Sequence, residues 1–349
     1  MAFLHQKSWF LVAFTIMVVL SVSQIAESRV LNDETRSMIE RHEQWMTLHG
    51  RVYKDVVEKS NRFTIFSENV KRIEELNSLN RGFTLGVNAF ADLTNEEFKA
   101  SRTGFNKDLL SKQIMSKSKS KSFKYENFTV SSSTMDWRME GVVTPVKDQG
   151  QCGCCWAFSA VAATESLHKL KTGALISLSE QELVDCDTEY DTGCEGGLMD
   201  FAFDFIHQNG GLTTESNYPY KAADGTCNKN QASDPVASIS GYEDVPQNDE
   251  DALLKAATNQ PISVGIEGSG FDFQFYSGGV FKGECGNELD HAVTVIGYGV
   301  AQDGSNYWLV KNSWGTMWGE KGYMRIMRGV KGKSEGLCGI AMMPSYPIA

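Results

Sequence analysis

The chain has no apolar run long enough to cross a bilayer. The longest, Trp9–Leu20, has 12 residues, whereas a spanning helix needs about 20. It has no basic excess: 33 Lys and Arg stand against 44 Asp and Glu, and a net charge of −11 offers nucleic acid no favourable surface. It has no cysteine before position 152. It also lacks the paired ligands of a zinc site. Cys152, Cys154 and Cys155 are crowded, but no second Cys or His pair at ligand spacing accompanies them among His5, His42, His49, His168, His207 and His291. No metal is therefore expected. With 41% hydrophobic and 22% charged residues, the composition excludes a mainly disordered, collagen-like or coiled-coil chain.

What is present begins with the N-terminus. Lys7, the short apolar run and the small residues Ser21 and Ser23 have the form of a secretory signal ending near residue 23, with a buried core helix as the alternative. Entry into an oxidising lumen lets cysteines pair. Eight cysteines, at 152, 154, 155, 186, 194, 227, 285 and 338, suggest four bridges unless one thiol is a nucleophile.

The two parts of the chain differ in composition. Residues 1–130 carry 19 Lys and Arg against 15 Asp and Glu, a balance of +4, whereas residues 131–349 carry 14 against 29, a balance of −15. In the front part Asp55 can cap a helix, and Phe63, Phe66, Val70, Ile73 and Leu76 share one helical face. A second helix is expected around Met38, Trp45 and Met46; a small independent helical domain is the plain alternative. Alternating Ser and Lys over 116–122 cannot build a core and reads as a protease-accessible tether. Asn127-Phe128-Thr129 is a glycosylation sequon. In the back part, Trp156–Leu170 and Leu198–His207 have helical length. After about residue 240, short apolar runs such as Pro261–Ile266, Ala292–Gly297, Tyr307–Val310 and Tyr323–Met327 alternate with Gly-rich turns, the pattern of strands.

Chemistry concentrates in Gln149-Gly-Gln-Cys-Gly-Cys-Cys155-Trp156, a loop running into an apolar helix. A cysteine at a helix N-terminus meets unpaired N–H groups and the positive end of the dipole, which favour the thiolate. That all three cysteines are structural weighs evenly on local sequence alone. A thiolate attacking an amide needs a base that later protonates the leaving amine, and His291 opens an apolar run after a turn. Asn312, beside Trp314, can orient the imidazole, and Gln149 can donate to an oxyanion with the Cys155 N–H. Singly, His291 reads as a core histidine and Asn312 as a turn residue; the order Cys, His, Asn supports a nucleophilic site.

These segments resemble the papain family of cysteine proteases, from about residue 35 to the C-terminus. Glu58, Arg62, Phe66, Asn69, Ile73 and Asn77 match the family's inhibitory prodomain signature, and Gly86, Asn88, Phe90 and Asp92 its second prodomain motif. Cys-Gly-Cys-Cys-Trp and the stretch Gly210–Tyr220 are similar to the plant senescence-associated branch. The resemblance implies an α+β, papain-like two-domain protease behind a helical inhibitory prodomain. The divisions are a signal (1–23), a propeptide (24–130) and a mature protease (131–349) with a helical half at about 140–243 and a barrel-like β-rich half at about 244–340. It implies Cys155 as nucleophile, His291 as acid and base, Asn312 as ring orienter, Gln149 as oxyanion donor and Trp314 as cover of the His–Asn bond. Gly196 and Gly197 would grip extended substrate, and Leu198, Met199, Val264, Ala292 and Met343 would wall the pocket for the second residue upstream of the cut. Core packing is the alternative for Met199 and Met343.

The implied bridges are Cys152–Cys194, Cys186–Cys227 and Cys285–Cys338. Two departures stand out: Cys154 where the family usually has Ser, and no proline near Ser132 to mark the mature terminus. The implied activity is peptide hydrolysis through a thioester by a monomeric zymogen, without cofactor. Its expected partners are protein and peptide substrates, its own propeptide and cystatin-type inhibitors. The expected place is an acidic vacuole-like or lysosome-like compartment, with extracellular release as the alternative. An inactive peptide-binding homologue and a structural disulfide or metal-binding protein are the rivals from other classes.

Overall fold

The computed structural model describes residues 35–106, 109 and 123–349. The expected signal at 1–23 and the tether at 116–122 lie outside them. The chain divides into two compact units after Val70.

In the first unit, residues 35–48 are helical (α1) and a longer helix (α2, Val56–Ser78) begins and runs on past the division. The Asp55 carboxylate accepts the Glu58 N–H at 2.8 Å while Glu58 accepts the Lys54 N–H at 2.8 Å, so the expected cap is in place. The apolar face meets an aromatic cluster in which Phe66 lies 4.9 Å from His42 and 5.2 Å from Trp45 between ring centroids.

In the second unit, Asn77 holds both backbone groups of Leu85, and β1 (Phe83–Leu85) pairs antiparallel with β5 (Tyr276–Phe281). Helix α3 (Asn95–Arg102) starts with a reciprocal capping box between Thr94 and Glu97. The helical part that follows comprises α4 (Cys155–Thr172), α5 (Glu180–Cys186) and α6 (Met199–Gln208). Every residue of α4 from Cys155 to Leu167 is buried, as expected of a central helix rather than a surface one.

The sheet that carries the other half of the chemistry runs β1-β5-β8-β7-β6-β4-β9-β3, with β2 (Met135–Asp136) added to β6. Here β3 is Gly241–Asp244, β4 Ile262–Ile266, β6 His291–Val300, β7 Asn306–Lys311, β8 Tyr323–Met327 and β9 Pro344–Ile348. Helix α7 (Glu250–Asn259) lies between β3 and β4 in sequence, and the short α8 (Phe271–Gln274) precedes β5. Two hydrogen bonds lock α4 to this sheet: Ser159 Oγ donates to Val293 O at 2.8 Å and Ser263 Oγ donates to Ser159 O at 3.0 Å. Disulfides join Cys152 to Cys194, Cys186 to Cys227 and Cys285 to Cys338, leaving Cys154 and Cys155 as buried free thiols.

Candidate active site

Cys155 is the first residue of α4, and its N-cap Cys154 makes no side-chain cap. No side-chain cap competes for the first turn, and hydrogen bonds from the backbones of Ala292, Gly104 and Trp156 favour the thiol's anion. Burial outweighs them. The thiol is wholly enclosed and is pushed up to about 12, with Asp290 adding to the rise. The approach loop is tied down by the Cys152 bridge and by Gly153 N–H donating to Cys194 O at 2.9 Å.

On the strand side, His291 opens β6, and Asn312 directly follows β7, the strand paired to β6. Asn312 Oδ1 lies 2.8 Å from His291 Nε2 and accepts the Ser313 backbone N–H at 2.8 Å. The backbone donor identifies that atom as the amide oxygen, so the imidazole proton sits on Nε2. Nδ1 of the neutral ring is then an open acceptor, buried and without a hydrogen bond. Burial pushes the ring down to about 4 against the Asn312 bond. Trp314 stacks on the imidazole with centroids 4.4 Å apart and planes 24° apart, shielding the His–Asn bond.

Gln149 is fully buried. Its amide nitrogen donates to Cys152 O at 2.9 Å and Arg102 O at 3.3 Å, and its oxygen accepts the Ser313 hydroxyl at 2.7 Å. Two supports escaped sequence reasoning. One is Ser313. The other is Tyr220, whose hydroxyl lies 2.6 Å from Gln149 O and 2.9 Å from Cys154 Sγ. A carbonyl only accepts and a phenol has one proton, so Tyr220 donates to Gln149 and the Cys154 thiol donates to Tyr220. Burial also raises Cys154, keeping it a thiol.

Residues 104–106 thread between the two walls. Gly104 N and Phe105 N donate to Asp290 O at 3.1 and 3.0 Å, and Gly197 N donates to Gly104 O at 3.0 Å while Asn106 N donates to Gly197 O at 3.2 Å. Gly104 permits this close passage: a Cβ there would lie 1.7 Å from Gly153 O. Arg102 pairs with Asp148 at 3.2 Å, and Arg81 grips Asp272 at 2.6 and 3.0 Å. Phe90 and Phe98 pack edge-on against Trp314.

The Phe105 ring fills an apolar recess. Leu198, Met199 and Ala292 belong to the buried cluster around it, with Met343 packed on that cluster. Val264 requires correction. A Cβ on Gly265 would lie 3.0 Å from the Phe105 ring and 3.2 Å from Leu289. Strand alternation therefore puts position 265 in the recess wall and turns Val264 to the other face of β4. Gly196 is next to the paired Gly197 and has φ 116°, a backbone that other residues rarely adopt. The Asn127 sequon is exposed in a turn. Among the described residues, no group of three or more His, Cys, Asp or Glu is placed to hold a metal, and no helix is long and apolar enough to cross a membrane.

A helix-terminal thiol, a neutral imidazole held by an amide and a donor amide beside them define the layout of a thiol hydrolase. The model of the papain family cysteine protease matches residues 131–348, and that of the cathepsin propeptide inhibitor domain matches residues 42–98. The senescence-specific cysteine protease SAG12 of Arabidopsis thaliana is 58% identical over 353 residues, covering 99% of both chains. Its counterpart SAG39 of Oryza sativa subsp. indica is 56% identical over 330 residues, covering 94% of this chain and 95% of the other. Among solved structures, the proform of the ragweed pollen allergen Amb a 11 superposes with TM-score 0.82 at 43% identity, over 90% of this chain and 95% of that one. Recombinant stem bromelain precursor superposes with TM-score 0.81 at 46% identity, over 89% and 99%. The chain belongs to the papain family of cysteine proteases: it is a cysteine endopeptidase of papain-like α+β fold that carries its own inhibitory propeptide.

Proposed function

We propose that Cys155 attacks the scissile carbonyl and that His291 Nδ1 takes the thiol proton. The imidazolium then protonates the leaving amine, and water hydrolyses the resulting Cys155 thioester. Asn312 orients the ring through Nε2, Trp314 shelters that bond, and Gln149 with the Cys155 N–H stabilises the oxyanion. The observation that carries this reading is the Asn312 amide orientation, which leaves Nδ1 as the free base. In the covered state burial holds thiol and imidazole neutral; uncovering restores water and lets the thiolate–imidazolium pair form.

The reading extends to a monomeric zymogen of the secretory pathway. A signal ends near residue 23, the propeptide ends near residue 130, and residues 131–349 form the mature enzyme in a helical and a β-rich half. Asn127 is its glycosylation site. Its role is protein degradation in an acidic compartment such as the vacuole during senescence, where cystatin-type inhibitors would meet the same cleft. The similarity to senescence-specific cysteine proteases of Arabidopsis thaliana and Oryza sativa supports this role.

Gly197 pairs with the substrate backbone as it pairs with the segment 104–106, and Gly196 beside it completes the grip. The recess holding Phe105 takes the second residue upstream of the cut. It favours Leu, Val or Phe and rejects Arg, which would lose its hydration among apolar walls. The test is labelling of the acid-activated chain with an epoxysuccinyl peptide, followed by mass mapping. Modification of Cys155 alone, lost in Cys155→Ala, is expected; a label on any other residue would contradict the assignment.

A further inference from the structure

The loop between α5 and α6 carries two carboxyl groups that the chemistry above does not use. Asp187 is the C-cap of α5, and Asp191 lies against Gly197 and Leu198 in the segment proposed to grip substrate. They are 4% and 2% exposed. Asp191 Oδ1 accepts the Leu198 N–H at 2.9 Å, and a Cβ on Gly197 would lie 2.6 Å from that oxygen. The loop also closes on Gly196, whose carbonyl accepts from Thr192 N at 2.9 Å and Thr192 Oγ1 at 2.8 Å. The second oxygen of each carboxyl, Oδ2, is buried without a donor. The two side chains lie within hydrogen-bonding reach of each other. Two ionised carboxylates in contact away from water repel strongly, whereas an acid and a carboxylate hold each other.

We propose that Asp187 and Asp191 share one proton and that this pair is a positioning element for the substrate-gripping segment Gly196–Leu198. The proposal deepens the reading that Gly197 pairs with the substrate backbone and rests on it. The charged groups acting on the pair are Asp200 and Asp204 from α6 and Glu189 from the loop itself, all acidic. They make a proton the natural counter-charge. Burial is the leading cause that lifts both carboxyls, Asp187 up to about 7 and Asp191 well above the usual carboxylate range.

The sign follows from proton binding. The closed loop keeps a proton that an opened, solvated loop would release above about pH 4. Closure is therefore firmest in acid and weakens as pH rises through about 7. When the proton leaves, repulsion pushes Asp191 off Leu198 N–H and loosens the grip. KM should rise, while kcat follows the Cys155–His291 pair.

The test compares the acid-activated full-length chain with Asp187→Asn, whose amide N–H can donate to Asp191 at every pH. At pH 5 both should hydrolyse a Leu-containing peptide with KM within about twofold. Between pH 6 and 8 the unmodified protein's KM should rise about fivefold or more, and the variant's should stay flat. Asp191→Asn keeps an acceptor for Leu198 and donates to Asp187, so it should give the same flat profile if Asp187→Asn folds poorly. Infrared spectra at pH 6 should show a protonated-carboxyl stretch that either substitution removes. Parallel KM profiles would overturn the positioning role, and an unchanged infrared band would overturn the shared proton. Failure of the underlying grip is visible separately. N-methylation of the substrate amide at the second upstream residue should raise KM in both proteins, and no change would remove the grip on which the pair acts.

Discussion

The two walls of the cleft are built by different means. The nucleophile wall is local: a disulfide-tied loop delivers Cys155 to a helix N-terminus within a few residues. The base wall is assembled from a distance. His291 and Asn312 meet only because β6 and β7 pair in a register that sets Thr294 opposite Lys311. Helix geometry alone produces a favourable place for a thiolate, whereas the sheet must be complete before a base exists. The segment 104–106 bridges both walls, so it senses both at once.

Breaking either wall at its reactive atom should have the largest effect. Cys155→Ala should abolish peptide hydrolysis, and His291→Ala should lower kcat by about 10⁴-fold or more. Both should leave the disulfides and the thermal midpoint nearly unchanged, as calorimetry would show. Comparable turnover by a folded Cys155→Ala protein would remove the nucleophile assignment.

Next come the groups that stabilise or orient. Gln149→Ala should cost about 10²–10³ in kcat with little change in KM, as for loss of one oxyanion donor. Asn312→Ala removes one hydrogen bond to a ring that becomes charged. A loss of about 1.5–3 kcal/mol, or about ten- to a hundredfold, is expected in kcat. Pre-steady-state acylation rates would locate both losses in the first chemical step.

The bridging segment offers a third cut. Gly104→Ala puts a methyl group into Gly153 O, and overpacking costs about 1–3 kcal/mol. The full-length chain should then lose inhibition about ten- to a hundredfold, read as earlier activation on acidification. The same segment sharpens the comparison through pH. Covering pushes His291 from its ordinary value near 6.5 to about 4. The covered form binds fewer protons below pH 6.5. Its stability is present above that value and is lost as pH falls towards 4. The charge opposition between the front and back of the sequence finds concrete partners in Arg81–Asp272 and Arg102–Asp148.

The smallest effect should be at Cys154. A Ser hydroxyl can donate to Tyr220 as the thiol does, so Cys154→Ser should change kcat/KM by no more than about twofold. Recovery after peroxide and reductant should also match, because the thiol is held protonated and engaged.

What could be read from the sequence follows the same division. The apolar spacing of Phe66, Val70 and Ile73 announces α2, and the Gly-containing loop before Trp156 announces a helix-terminal cysteine, because both signals are local. The strands at 291–300, 306–311 and 323–327 were legible as elements, but their neighbours were not. Strands β1, β3 and β9 are short and pair at long range, so they leave little periodic trace. Helix α7 was hidden in a region of strand-like texture. The Val264 expectation shows how sharp the limit is. A one-residue offset in a strand moves a side chain to the other face, and the residue that lines the recess is Gly265, which has no side chain to advertise it. Ser313 and Tyr220 act through contacts between distant segments, which spacing cannot reveal, and the Asp187–Asp191 pair, though local, depends on an irregular loop with no period to read.

The central claim is that the covering segment keeps thiol and imidazole neutral and that its removal lets them ionise. The direct measurement is the rate of Cys155 alkylation by iodoacetamide from pH 4 to 10, in the full-length chain and after activation. The full-length chain should react slowly above about pH 6.5, where the cover is stable, with reactivity rising only at the alkaline end. The activated enzyme should react through a thiolate already present below neutral pH, within the range of about 3.5–7.5 found for cysteines beside histidine at helix N-termini. Identical profiles before and after activation would contradict the account.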